Sequence, residues 1–136
     1  MLQTVTELEK LRKKKVLVID DEQEFCQLVK QGLEMLGPFE VSTCSSAVQA
    51  ISTARAIEPD LIFLDIQMPE MSGDEIAGLL STDEELKEIE VVFISGIVTE
   101  SELSNLGNLI SGKYYFSKPV KIKELAQFAK KLCGLN

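Results

Sequence analysis

The chain has 136 residues, 45% of them hydrophobic and 26% charged, with 14 basic against 22 acidic side chains for a formal net charge of −8. At roughly 150 residues per domain this is one domain, long enough to bury about two-thirds of its unfolded surface without a disulfide or metal staple. The acidic balance disfavours nucleic-acid backbones, and the lack of histidine removes Ser-His and Cys-His triads, His-based metal sites and a phosphohistidine donor.

Leu2, Val5, Leu8 and Leu11 recur every three residues ahead of the basic run Arg12–Lys15. Residues 1–14 read as an N-terminal extension, helical in pattern, and residues 15–134 as the domain. Val16-Leu17-Val18-Ile19 is a short apolar run rich in β-branched residues, which suits a strand buried on both faces. From Glu22 to Leu36, Phe25, Leu28, Val29, Leu33 and Leu36 make a helical stripe that Gly37-Pro38 stops. Phe39 to Thr43 is a weaker strand. Ser46 to Ile57 carries Ala47, Ala50, Ile51, Ala54 and Ile57 on one helical face.

Leu61-Ile62-Phe63-Leu64 is a third buried strand. Ser72-Gly73-Asp74-Glu75 has the spacing of a capping box and opens a helix through Leu80. Val91 to Ile94 lies in a fourth strand. Thr99-Glu100-Ser101-Glu102 opens another helix toward Leu106. Lys113 to Ser117 is a fifth strand, and Pro119 is placed to start a last helix that faces inward with Ile122, Leu125, Ala126, Ala129, Leu132 and Cys133. Strands alternating with helical crossovers predict an α/β domain: one parallel, doubly wound sheet with helices on both faces.

In such a sheet ligands sit beyond the carboxyl ends of the strands. Asp20-Asp21 follows the first strand, Asp65 the third, Ser95-Gly96 the fourth and Lys118-Pro119 the fifth. Three carboxylates crowded together repel one another, and at least one stays protonated unless a cation intervenes. A hard divalent ion such as Mg²⁺ takes oxygen ligands of this kind. A strand-end Asp65 beside it is placed to attack a phosphoryl group, with Lys118 and the Ser95 hydroxyl neutralising or bonding its oxygens. Met68, Met71 and Phe25 read as packing. The widely spaced Cys26, Cys44 and Cys133 form no CxxC and read as reduced, mostly buried thiols. No apolar run is long enough to span a membrane, and the N-terminus lacks the order of a signal peptide; a cytoplasmic protein is expected.

These residues, in this order and at these spacings, resemble a response-regulator receiver domain, the CheY-like module of two-component signalling. The likeness rests on Asp20-Asp21, on Asp65 through Gly73 with Met68-Pro69, on Ser95-Gly96, and on Tyr115 three places before Lys118-Pro119. It implies a flavodoxin-like sheet of strand order 2-1-3-4-5. It implies that Asp65 accepts a phosphoryl group from a histidine kinase or histidine phosphotransferase. Asp21, Asp65 and the backbone carbonyl of Gln67 would ligate Mg²⁺, and Asp20 would act through a metal-bound water. Lys118 would bind the phosphoryl group, and its bond to Pro119 would be cis. Ser95 would be the switch hydroxyl and Tyr115 the switch aromatic.

The likeness further implies a regulatory phosphoacceptor rather than an enzyme. The surface of the helix after the fourth strand, the last strand and the last helix would meet a downstream protein or a second phosphorylated copy. Neither nucleic acid nor membrane is an expected partner. With no output domain after Leu132, a stand-alone receiver, or one cut from a longer protein, is expected. Two other readings fit parts of the pattern. One is a docking domain that works without phosphate. The other is a Mg²⁺-dependent phosphatase of the haloacid-dehalogenase type, although Gln67 stands where its second aspartate belongs.

Overall fold

The structure is a computed structural model that describes residues 12–96, 109–110 and 113–135, residues 109–110 through their backbone. The helical leader expected over residues 1–14 lies outside the described residues as far as residue 11; Arg12 and Lys13 are not helical and Lys14 opens the first strand. The helix expected from residue 99 also lies outside the described residues. In chain order the elements are β1 (Lys14–Ile19), α1 (Gln23–Leu36), β2 (Phe39–Cys44), α2 (Ala50–Ile57), β3 (Leu61–Asp65), α3 (Gly73–Thr82), β4 (Glu90–Ser95), β5 (Leu109–Ile110), β6 (Lys113–Ser117) and α4 (Ile122–Leu132).

The sheet order is β2-β1-β3-β4-β6-β5. Its first five strands are parallel and keep the expected 2-1-3-4-5 order. β5 is an addition: two residues that pair antiparallel with β6 at the edge. Two residues carry no readable period, so the sequence pattern holds no signal for it. Two helix starts also differ from expectation. The helix expected from Ser46 begins at Ala50, after turns. The last helix begins at Ile122 rather than at Pro119, with Lys121 as its N-cap, and the Lys118–Pro119 bond is cis, as the resemblance implied.

The apolar strands divide by alternation between two cores. Val16, Val18, Leu61, Phe63, Val92, Ile94 and Phe116 face α1 and α4, meeting Val29, Leu33, Leu125 and Ala129. Leu17, Ile19, Ile62, Leu64 and Phe93 face α2 and α3, meeting Ala50, Ala54, Ile76 and Leu80. Burying each such side chain contributes about 1.5–3 kcal/mol, so the centre of the sheet is the stiff part of the molecule. β3 is buried along its whole length, which makes its last residue, Asp65, a carboxylate at the end of a rigid rod. Of the three thiols, Cys26 and Cys44 are buried and Cys133 is partly so, and all three are free.

Candidate functional site

Strand register assembles the site. Ile19 lies opposite Leu64, so the next residues, Asp20 and Asp65, leave adjacent strands side by side. β1 and β3 flank the point where the winding reverses, the crevice in which parallel sheets bind ligands. Asp65 lies opposite Ile94, and Ser95 opposite Ser117, which brings Lys118 to the same edge. Short backbone bonds lock these ends. The Asp20 amide donates to the Cys44 carbonyl at 3.1 Å, the Ile66 amide to that of Ile94 at 3.2 Å, and the Lys118 amide to that of Ser95 at 2.9 Å. The Cys26 thiol donates to the Asp20 carbonyl at 3.3 Å; burial pushes that thiol up to about 12, so it stays protonated as a donor.

Asp20, Asp21 and Asp65 can each bring a carboxylate oxygen within 4.8 Å of the others. Asp20 and Asp65 are buried, while Asp21 is exposed. The Asp20 carboxylate accepts from the Glu22 amide through Oδ1 at 2.9 Å. Its Oδ2 is buried and pairs with the Lys118 ammonium at 2.8 Å. Asp65 Oδ1 accepts from the Gln67 amide at 3.3 Å, and its Oδ2 is 3.9 Å from Lys118.

The electrostatics follow from that crowding. Burial, then the Asp20 charge, raises the Asp65 carboxyl to about 6, against the Lys118 ammonium and the Gln67 amide that pull it down. Burial also raises Asp20 above its ordinary value, against Lys118 and the Glu22 amide. Burial alone would lower Lys118, but hydrogen bonds and charge from Asp20 and Glu22, with Asp65 adding, carry it above its usual value. The ammonium is therefore charged at neutral pH.

The set of oxygens suits a hard divalent cation. Three carboxylates that can come within 4.8 Å of one another repel without one, and among the described residues Lys118 is the one cation paired with Asp20 and Asp65. An ion there would neutralise the charge that now raises Asp65.

Ser95 is fully buried and shares a strand face with Phe93, two residues before it. Tyr115 pairs with Phe93 across the sheet and stacks on it, ring centroids 5.2 Å apart. The Tyr115 ring is half-buried and packs on the α2 and α3 side. Tyr114 turns to the opposite side, edge-on to Phe128 at 5.1 Å, so strand alternation separates the two tyrosines. Met68 is buried in the same core as Tyr115, which is the packing role the sequence suggests.

Two residues join the site that the sequence pattern does not mark. Glu22 Oε1 lies 2.8 Å from the Lys118 ammonium, although its only signal is to continue the acid run Asp20-Asp21. Phe25, read as packing, also carries the Lys118 ammonium over its ring at 4.5 Å from the centroid; a helical aromatic has no mark that tells a cation platform from a core side chain.

Comparison with known proteins agrees with this geometry. A family model described as the response regulator receiver domain matches residues 16–130. The polar-differentiation response regulator DivK of Brucella ovis is 30% identical over 122 residues, covering 89% of this chain and 97% of that one. Protein RcaC of Microchaete diplosiphon is 33% identical over 112 residues, which cover 82% of this chain and 17% of that longer protein. Among solved structures, chemotaxis protein CheY4 of Vibrio cholerae has the same fold, with a TM-score of 0.73 at 22% identity, covering 88% of this chain and 98% of that one. The receiver domain of a DNA-binding response regulator from Colwellia psychrerythraea 34H gives a TM-score of 0.75 at 24% identity, covering 90% and 99%. Among the described residues, no helix is long and apolar enough to cross a membrane.

Proposed function

This chain belongs to the response-regulator receiver family of two-component signalling, and from that premise we propose that Asp65 is its phosphoacceptor and that phosphorylation switches a protein-binding surface. The single observation that carries the proposal is the meeting of Asp20, Asp21 and Asp65 within 4.8 Å, with the Lys118 ammonium at the same edge.

The donor is a phosphohistidine on a histidine kinase or histidine phosphotransferase. An oxygen of the ionised Asp65 carboxylate attacks phosphorus, the P–N bond breaks, an acyl phosphate forms, and the imidazole departs with a proton from solvent. Asp21, Asp65 and the Gln67 carbonyl would hold Mg²⁺ directly, with Asp20 acting through a bound water. When bound, the ion supplies a Lewis acid that offsets charge on the phosphoryl oxygens. Lys118 provides a second positive charge at the same edge. The domain assists its own phosphorylation and dephosphorylation but turns over no separate substrate.

The added phosphoryl brings about −1.5 to −2 of charge and new acceptor oxygens. The Ser95 hydroxyl moves to one of them, and the Tyr115 ring, stacked but only half-buried, turns into the space left behind. That population shift alters the surface around β6 and α4, to which a downstream protein or a second phosphorylated copy binds. A cytoplasmic location is part of the same reading, as is the division of the chain into a leader over residues 1–14 and a domain over 15–134.

The test is incubation with acetyl phosphate and Mg²⁺, followed by intact-mass measurement. One labile phosphoryl group is expected on the wild type and none on Asp65→Asn. Steady hydrolysis of many phosphomonoesters would favour a phosphatase instead, and no uptake from any donor would favour a phosphate-independent docking domain.

A further inference from the structure

Lys118 is held at the lip of the site rather than over Asp65. Its ammonium lies 2.8 Å from Asp20 Oδ2 and 2.8 Å from Glu22 Oε1, but 3.9 Å from Asp65 Oδ2. The Phe25 ring lies beneath it. Of the three carboxylates, those of Asp20 and Asp65 are buried, while the Glu22 side chain is 65% exposed. Glu22 is nevertheless well placed, because its own amide is tied to Asp20 Oδ1 at 2.9 Å. One residue thus holds the Asp20 carboxylate with its backbone and reaches the lysine with its side chain.

Resting on the receiver reading above, we propose that Glu22 is a latch that competes with Asp65 for Lys118 and so sets how readily the lysine turns to a phosphoryl group. Glu22 touches neither donor nor phosphoryl; it is a positioning residue acting through Lys118. The ammonium has three N–H donors, but held 2.8 Å from Asp20 Oδ2 and Glu22 Oε1 it stands 3.9 Å from Asp65 Oδ2, so closing on Asp65 moves it from the position those two oxygens give it. The buried Asp20 oxygen belongs to the acid cluster and is drawn to any cation bound there. The Glu22 contact is then what keeps Lys118 on the outer side. It is an ion pair with one partner in solvent, so it biases the equilibrium rather than blocking it; pairs of this kind are worth a factor of about two to five. Phe25 supplies a surface the cation can cross, since attraction to a ring face constrains direction weakly.

The full chain without metal gives the first test. Heteronuclear NMR reads couplings across hydrogen bonds from Lys118 Nζ to carboxylate carbons. A coupling to Glu22 Cδ is expected in the wild type. In Glu22→Ala it is lost, and one to Asp65 Cγ appears. Absence of the first in the wild type, or of the second in the variant, overturns the latch. The second test titrates beryllofluoride, a phosphoryl mimic, into protein with Mg²⁺, read by fluorine NMR. Glu22→Ala and Glu22→Asp, which keeps the charge but loses reach, should both bind about two- to fivefold more tightly than wild type. Glu24→Ala removes the same charge from the same end of the helix without the contact, and should match wild type. If Glu22→Asp behaves as wild type while Glu24→Ala tightens like Glu22→Ala, the effect is one of net charge and the proposal falls. If wild type takes up no beryllofluoride at all, the receiver reading fails, and the NMR couplings alone decide the competition for Lys118.

Discussion

Gly73, the first residue of α3, brings the loop after β3 back against the acceptor strand. Its amide donates to the Ile66 carbonyl at 2.8 Å. A Cβ at this position would collide with the Asp65 carbonyl oxygen and stand 2.7 Å from Ile66 Cα. Those atoms are backbone and cannot swing aside. Gly73→Ala therefore forces the loop outward, an overpacking that costs about 1–3 kcal/mol, and weakens a hydrogen bond worth about 0.5–1.5 kcal/mol. Alanine's better helix propensity returns at most about 1 kcal/mol. The net expectation is a loss of about 0.5–4.5 kcal/mol, at about 3–5 °C of melting temperature per kcal/mol for a chain of this size. Asp65 moves with the loop, so phosphoryl uptake from acetyl phosphate should slow as well. Gly78 is the internal control: it lies in the same helix, and an added methyl would have no described atom within 4 Å. Gly78→Ala should therefore gain about 0.5–1 kcal/mol. Thermal unfolding followed by circular dichroism reads both. The two variants are expected to move in opposite directions. A Gly73→Ala protein as stable as wild type, with normal uptake, would show that the loop does not approach the acceptor this closely.

Asp65 also predicts a pH dependence. Its folded pKa of about 6 exceeds the ordinary 3.8, so between those values the folded chain binds more protons than the unfolded one. The associated stability is complete below about pH 4 and is lost as pH rises through about 6. In chelator, wild type should lose melting temperature relative to Asp65→Asn across that window and be the less stable of the two at pH 7; parallel profiles would contradict the assignment. Adding Mg²⁺ at pH 7 should raise wild type by binding linkage and leave Asp65→Asn with a smaller gain, as thermal melts with and without the ion would show. Ser95→Ala should still take up beryllofluoride but leave the Tyr115 ring signals in NMR where they stood before binding, whereas Ser95→Thr should retain their shift.

What is legible in the sequence is what register controls. Val16–Ile19 and Leu61–Leu64 announce buried parallel strands by composition alone, and parallel strands deliver their following residues to one edge. Asp20, Asp65, Ser95 and Lys118 can therefore be gathered from the sequence, and the strand pairings carry them there. Helix boundaries are less legible. The pattern of alanines runs back to Ala47, yet the regular turns begin at Ala50, because an apolar stripe records which face is buried and not which amides are bonded. β5 is invisible because two residues have no period.

The contacts around Lys118 depend on something register does not encode. Strand pairing places a Cα to within an ångström or so, but a lysine side chain swings through several rotatable bonds beyond it, and its ammonium goes to whichever oxygens lie within that reach. Glu22 is 96 residues away in the chain, and no spacing rule connects the two. Glu24, equally acidic and two residues further on, makes no ion pair with the lysine, whose carboxylate partners are Asp20, Glu22 and Asp65 among the described residues. Glu22 caps α1 with an extended backbone, whereas Glu24 lies within the first helical turn, so the two side chains leave the chain from different backbone conformations. Which acid near a strand end belongs to the site thus goes with the residue that caps α1, whose amide the Asp20 carboxylate holds at 2.9 Å. Asp20 holds the residue that precedes the helix, and that residue carries the exposed carboxylate that reaches the lysine.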